Sequence, residues 1–199
     1  KLVLNLTDNC NLNCNYCMRS SILCPPSSDM PLEIAFEAIN YLYEHGKESK
    51  GPVEISFYGG EPLLNFEVLK KTVEYAESKF GKSGINFILA SNGVILEQGE
   101  IDYLFTHDFL INISLDGPKH IHDKHRITLT GKGSYDSVID NLKKLSKRYG
   151  KKSKEKLGIL ITLTPPYNID EIVSFLNGEQ WIAKHFKLRI NEVFQHDHF

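Results

Sequence analysis

Cys10-Asn11-Leu12-Asn13-Cys14-Asn15-Tyr16-Cys17 sets three cysteines at the spacing C-x3-C-x2-C within eight residues. Just before it, Leu2-Val3-Leu4-Asn5-Leu6 alternates and reads as a short strand. The thiols therefore lie in the loop where a first strand ends. That loop has no Gly or Pro, but its Asn residues accept turn and left-handed conformations. Thiols this close, with no signal-peptide pattern ahead of them, point to a metal rather than to disulfides. Zinc in a structural site takes four ligands, usually in separated pairs. Three thiolates on one short loop suit three corners of a [4Fe–4S] cube and leave one iron open to another ligand. A zinc site completed by Cys24 or a distant histidine is the alternative.

Bulk properties narrow the class. With 199 residues the chain is one large domain or part of a longer protein. A chain of this size buries roughly 70% of the surface it exposes when unfolded. A net charge of -2 gives no reason to expect nucleic acid or an anionic membrane as partner. No apolar run approaches the ~20 residues that span a bilayer. All four cysteines precede residue 25, where a secreted disulfide framework would spread them. A reducing cytoplasm is the expected compartment. The sequence opens on Lys1 and runs straight into a strand, so it reads as a trimmed segment.

Outward from the cysteines, strand and helix patterns alternate. A helix is expected from Pro31 to about His45, with Asp29 as its cap and Ile34, Ala38, Ile39 and Leu42 as its apolar stripe. Val53–Phe57 is a second strand, Phe66–Phe80 a helix, Ile85–Ala90 a third strand and Gln98–Thr106 a short helix. Leu110–Leu115 is a fourth strand, followed by a polar loop to Gly133 and a helix capped by Ser134. Leu157–Leu163 is a fifth strand, Asp170–Leu176 a helix and Leu188–Val193 a sixth strand. Six mostly apolar strands with helical connections predict an α/β fold, a partial (β/α)6 barrel of parallel strands. In such barrels active sites lie at the C-terminal strand ends, where every unusual loop of this sequence falls. A doubly wound open sheet is the other architecture, but no G-x-G-x-x-G follows any strand.

Several of those loops carry chemistry. Gly59-Gly60-Glu61-Pro62 follows the second strand. Its glycines let backbone approach a ligand closely, and its N–H and C=O groups with the Glu61 carboxylate suit an ammonium and other polar atoms. An ordinary turn before a helix has the same composition. Ser91-Asn92-Gly93 ends the third strand, with Gly93 as a turn residue and Asn92 either a turn residue or a sugar contact. Ser114-Leu115-Asp116-Gly117-Pro118 ends the fourth strand, with His120, His122, Asp123, His125 and Arg126 downstream. These histidines read as a solvated polar loop, because no element is evident there to fix metal ligands. The basic run from Lys143 to Lys156 reads as solvated surface near a helix end. Cys24 reads as an inert loop cysteine.

The cysteine loop, with aromatic Tyr16 before its third cysteine, resembles the signature of the radical S-adenosylmethionine (SAM) enzymes. Gly59-Gly60-Glu61-Pro62 matches their GGEP motif. Ser-Leu-Asp-Gly-Pro, then His-Asp, then Arg resembles the anaerobic sulfatase-maturating enzymes and SPASM-type relatives that modify peptides. The resemblance covers essentially the whole chain, as one radical SAM core domain over 1–199. It implies that Cys10, Cys14 and Cys17 hold a [4Fe–4S] cluster whose open iron chelates the amino and carboxylate groups of SAM. It further implies reductive cleavage to a 5′-deoxyadenosyl radical that takes hydrogen from a peptide or protein substrate. Gly59, Gly60 and Glu61 would serve the methionine ammonium, and Arg126 the methionine carboxylate. Ser114 would lie by the ribose; Asn92 counts as a cofactor contact where it reaches the sugar rather than turning the chain, and the Tyr16 ring can stack near the adenine. Asp116 and Asp123 order the loop or face the substrate, and neither is assigned further. An external flavodoxin- or ferredoxin-type protein would donate the electron. The family's peptide-modifying members carry a cysteine-rich C-terminal extension, yet no cysteine follows Cys24. The extension is expected to be missing from this segment, and with it the general base. A small-molecule substrate, or a non-catalytic iron–sulfur or zinc module, are the alternatives.

Overall fold

The computed structural model describes residues 1–17, 28–46, 51–150 and 153–193. Strands and helices alternate along it. The strands are β1 (Leu2–Thr7), β2 (Val53–Gly59), β3 (Ile85–Ser91), β4 (Leu110–Ser114), β5 (Leu157–Leu163) and β6 (Lys187–Glu192). The helices are α1 (Leu32–His45), α2 (Phe66–Phe80), α3 (Gln98–Thr106), α4 (Lys119–His125), α5 (Tyr135–Tyr149), α6 (Ser153–Lys156), α7 (Ile169–Gly178) and α8 (Gln180–His185). The six strands form one open parallel sheet in strict chain order, β1-β2-β3-β4-β5-β6. A doubly wound sheet reverses its strand order at a switch point. This order has no reversal, so the α/β expectation stands and the doubly wound alternative does not. Among the described residues no helix is long and apolar enough to cross a membrane.

The chain gathers into two compact units. The first comprises residues 1–10, 25–91 and 95–111. Parallel pairing sets Leu4 of β1 beside Phe57 of β2, and Ile55 of β2 beside Phe87 of β3. Side chains alternate across a strand, so Leu4, Leu6, Val53, Ile55, Phe57, Ile85, Phe87 and Leu89 line one face, and all are buried. Helices α1, α2 and α3 add Ala35, Ile39, Leu69, Val73, Ala76, Ile101 and Leu104 to this core. Phe57, Phe87 and Phe109 pack together with ring centroids 5.0–6.1 Å apart. Each such fully buried side chain stabilises by about 2 kcal/mol. The intervening Glu54, Ser56 and Tyr58 stay partly or fully exposed, so these strands alternate rather than run continuously apolar. The α1 stripe is shifted from its predicted place: Ala35 and Ile39 are buried, while Ile34 is 49% exposed. Asp29 does not cap α1, whose N-cap is Pro31. Its carboxylate instead accepts from Thr7 Oγ1 (2.5 Å) and Asn9 Nδ2 (3.2 Å), tying the end of β1 to the chain before α1.

The second unit comprises residues 11–24, 92–94 and 112–199. Its core holds Ile113, Leu115, Val138, Leu142, Ile159, Ile161, Ile172, Ile182 and Phe186. β5 and β6 pair in parallel from Gly158↔Lys187 to Leu163↔Glu192. The stretch expected as a polar loop contains α4, and α8 forms where no element was expected. Ser134 sits at the N-cap of α5 without a side-chain capping bond, because its hydroxyl donates to the Arg126 carbonyl (2.8 Å). In the basic run, Lys143, Lys144, Lys147 and Arg148 are exposed, as expected of a solvated face.

Candidate active site

In the first unit, the end of β2 is built from backbone. Gly59 holds φ 139°, a conformation that side chains disfavour. A Cβ on Gly60 would lie 2.1 Å from the Asn9 carbonyl oxygen, inside any allowed contact. The chain passes that closely because Gly60 N donates to Thr7 O (2.8 Å) and Glu61 N to Asn9 O (2.8 Å). The expectation that these N–H groups face a ligand is therefore corrected: they stitch the turn to residues 7–9. Glu61 is also turned inward. It is 1% exposed, and its Oε1 accepts from Leu63 N (3.2 Å) at the start of the 3-10 turn Pro62–Asn65. Cys10 closes this unit, and its thiol is half-buried.

In the second unit, the cysteine loop lies along residues 125–128. Asn13 N donates to Ile127 O (2.7 Å), Asn15 N donates to His125 O (3.1 Å), and Leu12 bridges Thr128 in antiparallel sense. Cys17 N closes a turn onto Cys14 O (3.1 Å), and both thiols are half-buried. His125 locks the same loop. The Asn15 amide donates Nδ2 to Lys124 O (3.1 Å), which leaves Asn15 Oδ1 to accept from His125 Nδ1 (2.7 Å). His125 Nε2 then accepts from the Thr164 hydroxyl (3.0 Å). Burial, with Lys124 nearby, holds His125 below its usual pKa, as this neutral form requires. Asn92 reaches the loop too: its Nδ2 donates to Asn11 Oδ1 (2.6 Å), while its Oδ1 accepts from Val94 N (3.0 Å). Gly93 turns the chain at φ 76°, as expected.

Beneath Tyr16 lies a buried carboxylate. Asp116 Oδ2 accepts from the Tyr16 phenol (2.6 Å) and Arg126 Nε (2.8 Å). Asp116 Oδ1 accepts from Arg126 Nη2 (3.2 Å) and Thr162 N (3.0 Å). Burial pushes the Asp116 carboxyl upward, but the Arg126 charge and the hydrogen bonds from Arg126 and Tyr16 together hold it below its usual range. Burial likewise lifts the Tyr16 phenol far above its ordinary value. The Arg126 guanidinium also lies 5.3 Å from the Tyr16 ring centroid, at cation–π distance. Asp116 N donates to His122 Nδ1 (3.3 Å), so the ring carries its proton on Nε2 and donates to Ser134 Oγ (2.9 Å). Burial lowers His122 to about 4, so the imidazole is neutral at pH 7.

The predicted residues therefore divide. Tyr16 and Arg126 come together on Asp116, a partner left unassigned by the sequence. Ser114 is buried at the end of β4. His120 pairs with Glu171 (2.7 Å), away from the His122 and His125 networks. Among the described residues no three Cys, His, Asp or Glu side chains gather as ligands of one metal ion. Cys24 lies outside the described residues. The donor set fits a [4Fe–4S] cube, which takes each thiolate on a different iron: three half-buried thiols fall within eight residues.

The chain is 33% identical over 158 residues to a GTP 3′,8-cyclase of Synechocystis, covering 77% of this chain and 43% of that protein. It is 26% identical over 187 residues to a cysteine-type anaerobic sulfatase-maturating enzyme of Clostridium novyi, covering 90% and 48%. The solved structure "Native anSMEcpe with bound AdoMet and Cp18Cys peptide" superposes with a TM-score of 0.78 at 23% identity, covering 98% of this chain and 50% of that one. At that identity it shows a shared fold. The chain thus spans about half the length of these proteins or less. The radical SAM superfamily model matches residues 4–177. On that match the chain belongs to the radical SAM superfamily, enzymes whose cofactors are a [4Fe–4S] cluster and S-adenosylmethionine.

Proposed function

We propose that residues 1–199 form the core of a radical SAM enzyme that modifies a peptide or protein. The observation that carries this reading is the cysteine loop, pinned by backbone bonds to residues 125–128 and by Tyr16 to Asp116. When bound, the cluster and SAM would supply the one-electron chemistry for taking hydrogen from a substrate. The chain binds, orients and excludes water. Cys10, Cys14 and Cys17 ligate the cluster. Carbonyls of the Gly59-Gly60 turn accept from the methionine ammonium, with Glu61 holding that turn from within. Arg126 offers its charge to the methionine carboxylate, although Asp116 already occupies one edge of its fork. Ser114 and Asn92 serve the ribose, and Tyr16 the adenine. A flavodoxin- or ferredoxin-type donor in the cytoplasm supplies the electron.

The peptide substrate is supported by the string Ser114–Arg126 and by the sulfatase-maturating relative. The 33%-identical GTP cyclase favours a second reading, a small-molecule substrate. The test uses the full-length protein with reductant, SAM and candidate peptides deuterated at carbon. Deuterium recovered in 5′-deoxyadenosine supports the peptide reading. Label transferred from a nucleotide or other small metabolite, and never from a peptide, overturns it in favour of the second.

A further inference from the structure

The second unit buries a carboxylate among groups of its own chain. Asp116 is 1% exposed, and each of its oxygens accepts two hydrogen bonds. A carboxylate has about four acceptor positions, so its capacity is filled by the chain itself. It therefore has no oxygen left to take a proton from a substrate. What it does have is reach: its four bonds go to the cysteine loop at Tyr16, to Arg126 after α4, and to the Thr162 amide on β5. Tyr16 stands between Cys14 and Cys17 in the chain.

We infer that Asp116 is a positioning residue for the cofactor site, holding the Tyr16 ring and the Arg126 guanidinium in fixed places so that they meet bound SAM. The inference rests on the proposed function, because SAM is what the two side chains would meet. The physical grounds are local. Two bonds from one guanidinium to one carboxylate fix the plane of both groups. The short phenol bond then fixes the Tyr16 side chain beyond what its rotamer alone allows. The Thr162 amide anchors the carboxylate to a strand, so the arrangement is referenced to the sheet rather than to the loop it orients. A neutral His122, accepting from the Asp116 amide, adds no competing charge.

The experiment uses the full-length, anaerobically reconstituted protein. It compares wild type with Asp116→Asn and Tyr16→Phe by iron content, by SAM dissociation constant and by the EPR signal of the reduced cluster with and without SAM. Asp116→Asn keeps the shape but weakens the hold on Arg126 and Tyr16. It should retain iron, weaken SAM binding about tenfold and change the SAM-dependent EPR signal. Tyr16→Phe leaves the ion pair and removes one bond, so it should weaken SAM binding by a smaller factor. A purely structural Asp116 would lower stability in both variants and leave SAM affinity and EPR as in wild type, and that result overturns the inference. If Asp116→Asn does not fold, Tyr16→Phe decides by the same two readings. Should wild type bind no SAM, the proposed function fails. The hold on Tyr16 is then read from 19F NMR of fluorotyrosine-labelled oxidised protein, where an unchanged Tyr16 resonance in Asp116→Asn overturns the inference.

Discussion

The turn Gly59–Pro62 and the cluster around Asp116 both follow strand ends where candidate SAM contacts are proposed, yet they are made of different materials. The first is backbone laid on backbone: its amides go to Thr7 and Asn9, and its glycines are there because a Cβ has no room. The second is charge laid on charge: a buried carboxylate and guanidinium, with a half-buried phenol against them. A backbone turn fails by steric collision, at almost any side chain added. A buried ion cluster fails by imbalance, when one partner is removed and the other stays. Glycine content reports the first kind of site from sequence. The second kind shows only once partners 100 residues apart, such as Tyr16 and Asp116, are seen together.

That contrast can be broken in order of size. Asp116→Ala strands Arg126 as a buried charge without its partner, and should cost about 4 kcal/mol in chemical denaturation. A loss under about 1 kcal/mol would show that water or another anion replaces the carboxylate at once. Gly60→Ala drives a Cβ into the Asn9 carbonyl and should cost about 3 kcal/mol. If Gly60→Ala proves as costly as Asp116→Ala, the distinction between steric and electrostatic failure loses its force.

The third test is pH. His122 is held neutral in the fold with its pKa lowered to about 4, while the unfolded imidazole titrates at about 6.5. Between those values the unfolded state binds more protons, so stability falls as pH drops from about 6.5 towards 4. By pH 4.5 this group alone should remove about 2–3 kcal/mol. The check is urea denaturation from pH 7 to 4.5, where the wild-type slope should exceed that of His122→Gln. Equal slopes would mean that folding does not lower the His122 pKa. Asp116 has the opposite origin but the same sense, for its lowered carboxyl contributes stability above its unfolded pKa that is lost below about pH 4. The smallest effect is expected away from both regions. Lys147→Ala on the exposed face of α5 should change stability by no more than about 0.5 kcal/mol. A larger loss would show that the basic run is not simply solvated.

Much of this architecture was legible in residue order. Alternation marked the strands, and glycine with proline marked their ends. Phe66–Phe80 and Gln98–Thr106 fall where the helical period placed them. Helix α4 was not legible, because its seven residues carry one aliphatic side chain, Ile121, among histidines, lysines and an aspartate. Its remaining inward positions are filled by His122 and His125, whose burial is made tolerable by partners far along the chain. Pro118, at its N-cap, was the available signal. Asp29 and Ser134 failed as caps for one common reason: each oxygen found a tertiary partner, Thr7 and Arg126 respectively, instead of the helix start it precedes. Arg126 stood out in the sequence as a candidate, but the carboxylate that holds its fork did not, since charge pairing leaves no periodic trace.

The central claim is that the loop of Cys10, Cys14 and Cys17 holds a [4Fe–4S] cluster, and the most direct measurement is metal and sulfide content after anaerobic reconstitution. The full-length protein is compared with its Cys10→Ala, Cys14→Ala and Cys17→Ala variants and with Cys24→Ala. The account predicts that each of the first three loses most of the iron, sulfide and visible absorbance that its loop would bind, while Cys24→Ala keeps them and still cleaves SAM. Stoichiometric zinc retained through iron and sulfide treatment, or a cluster spectrum lost in Cys24→Ala and kept in Cys14→Ala, would contradict it.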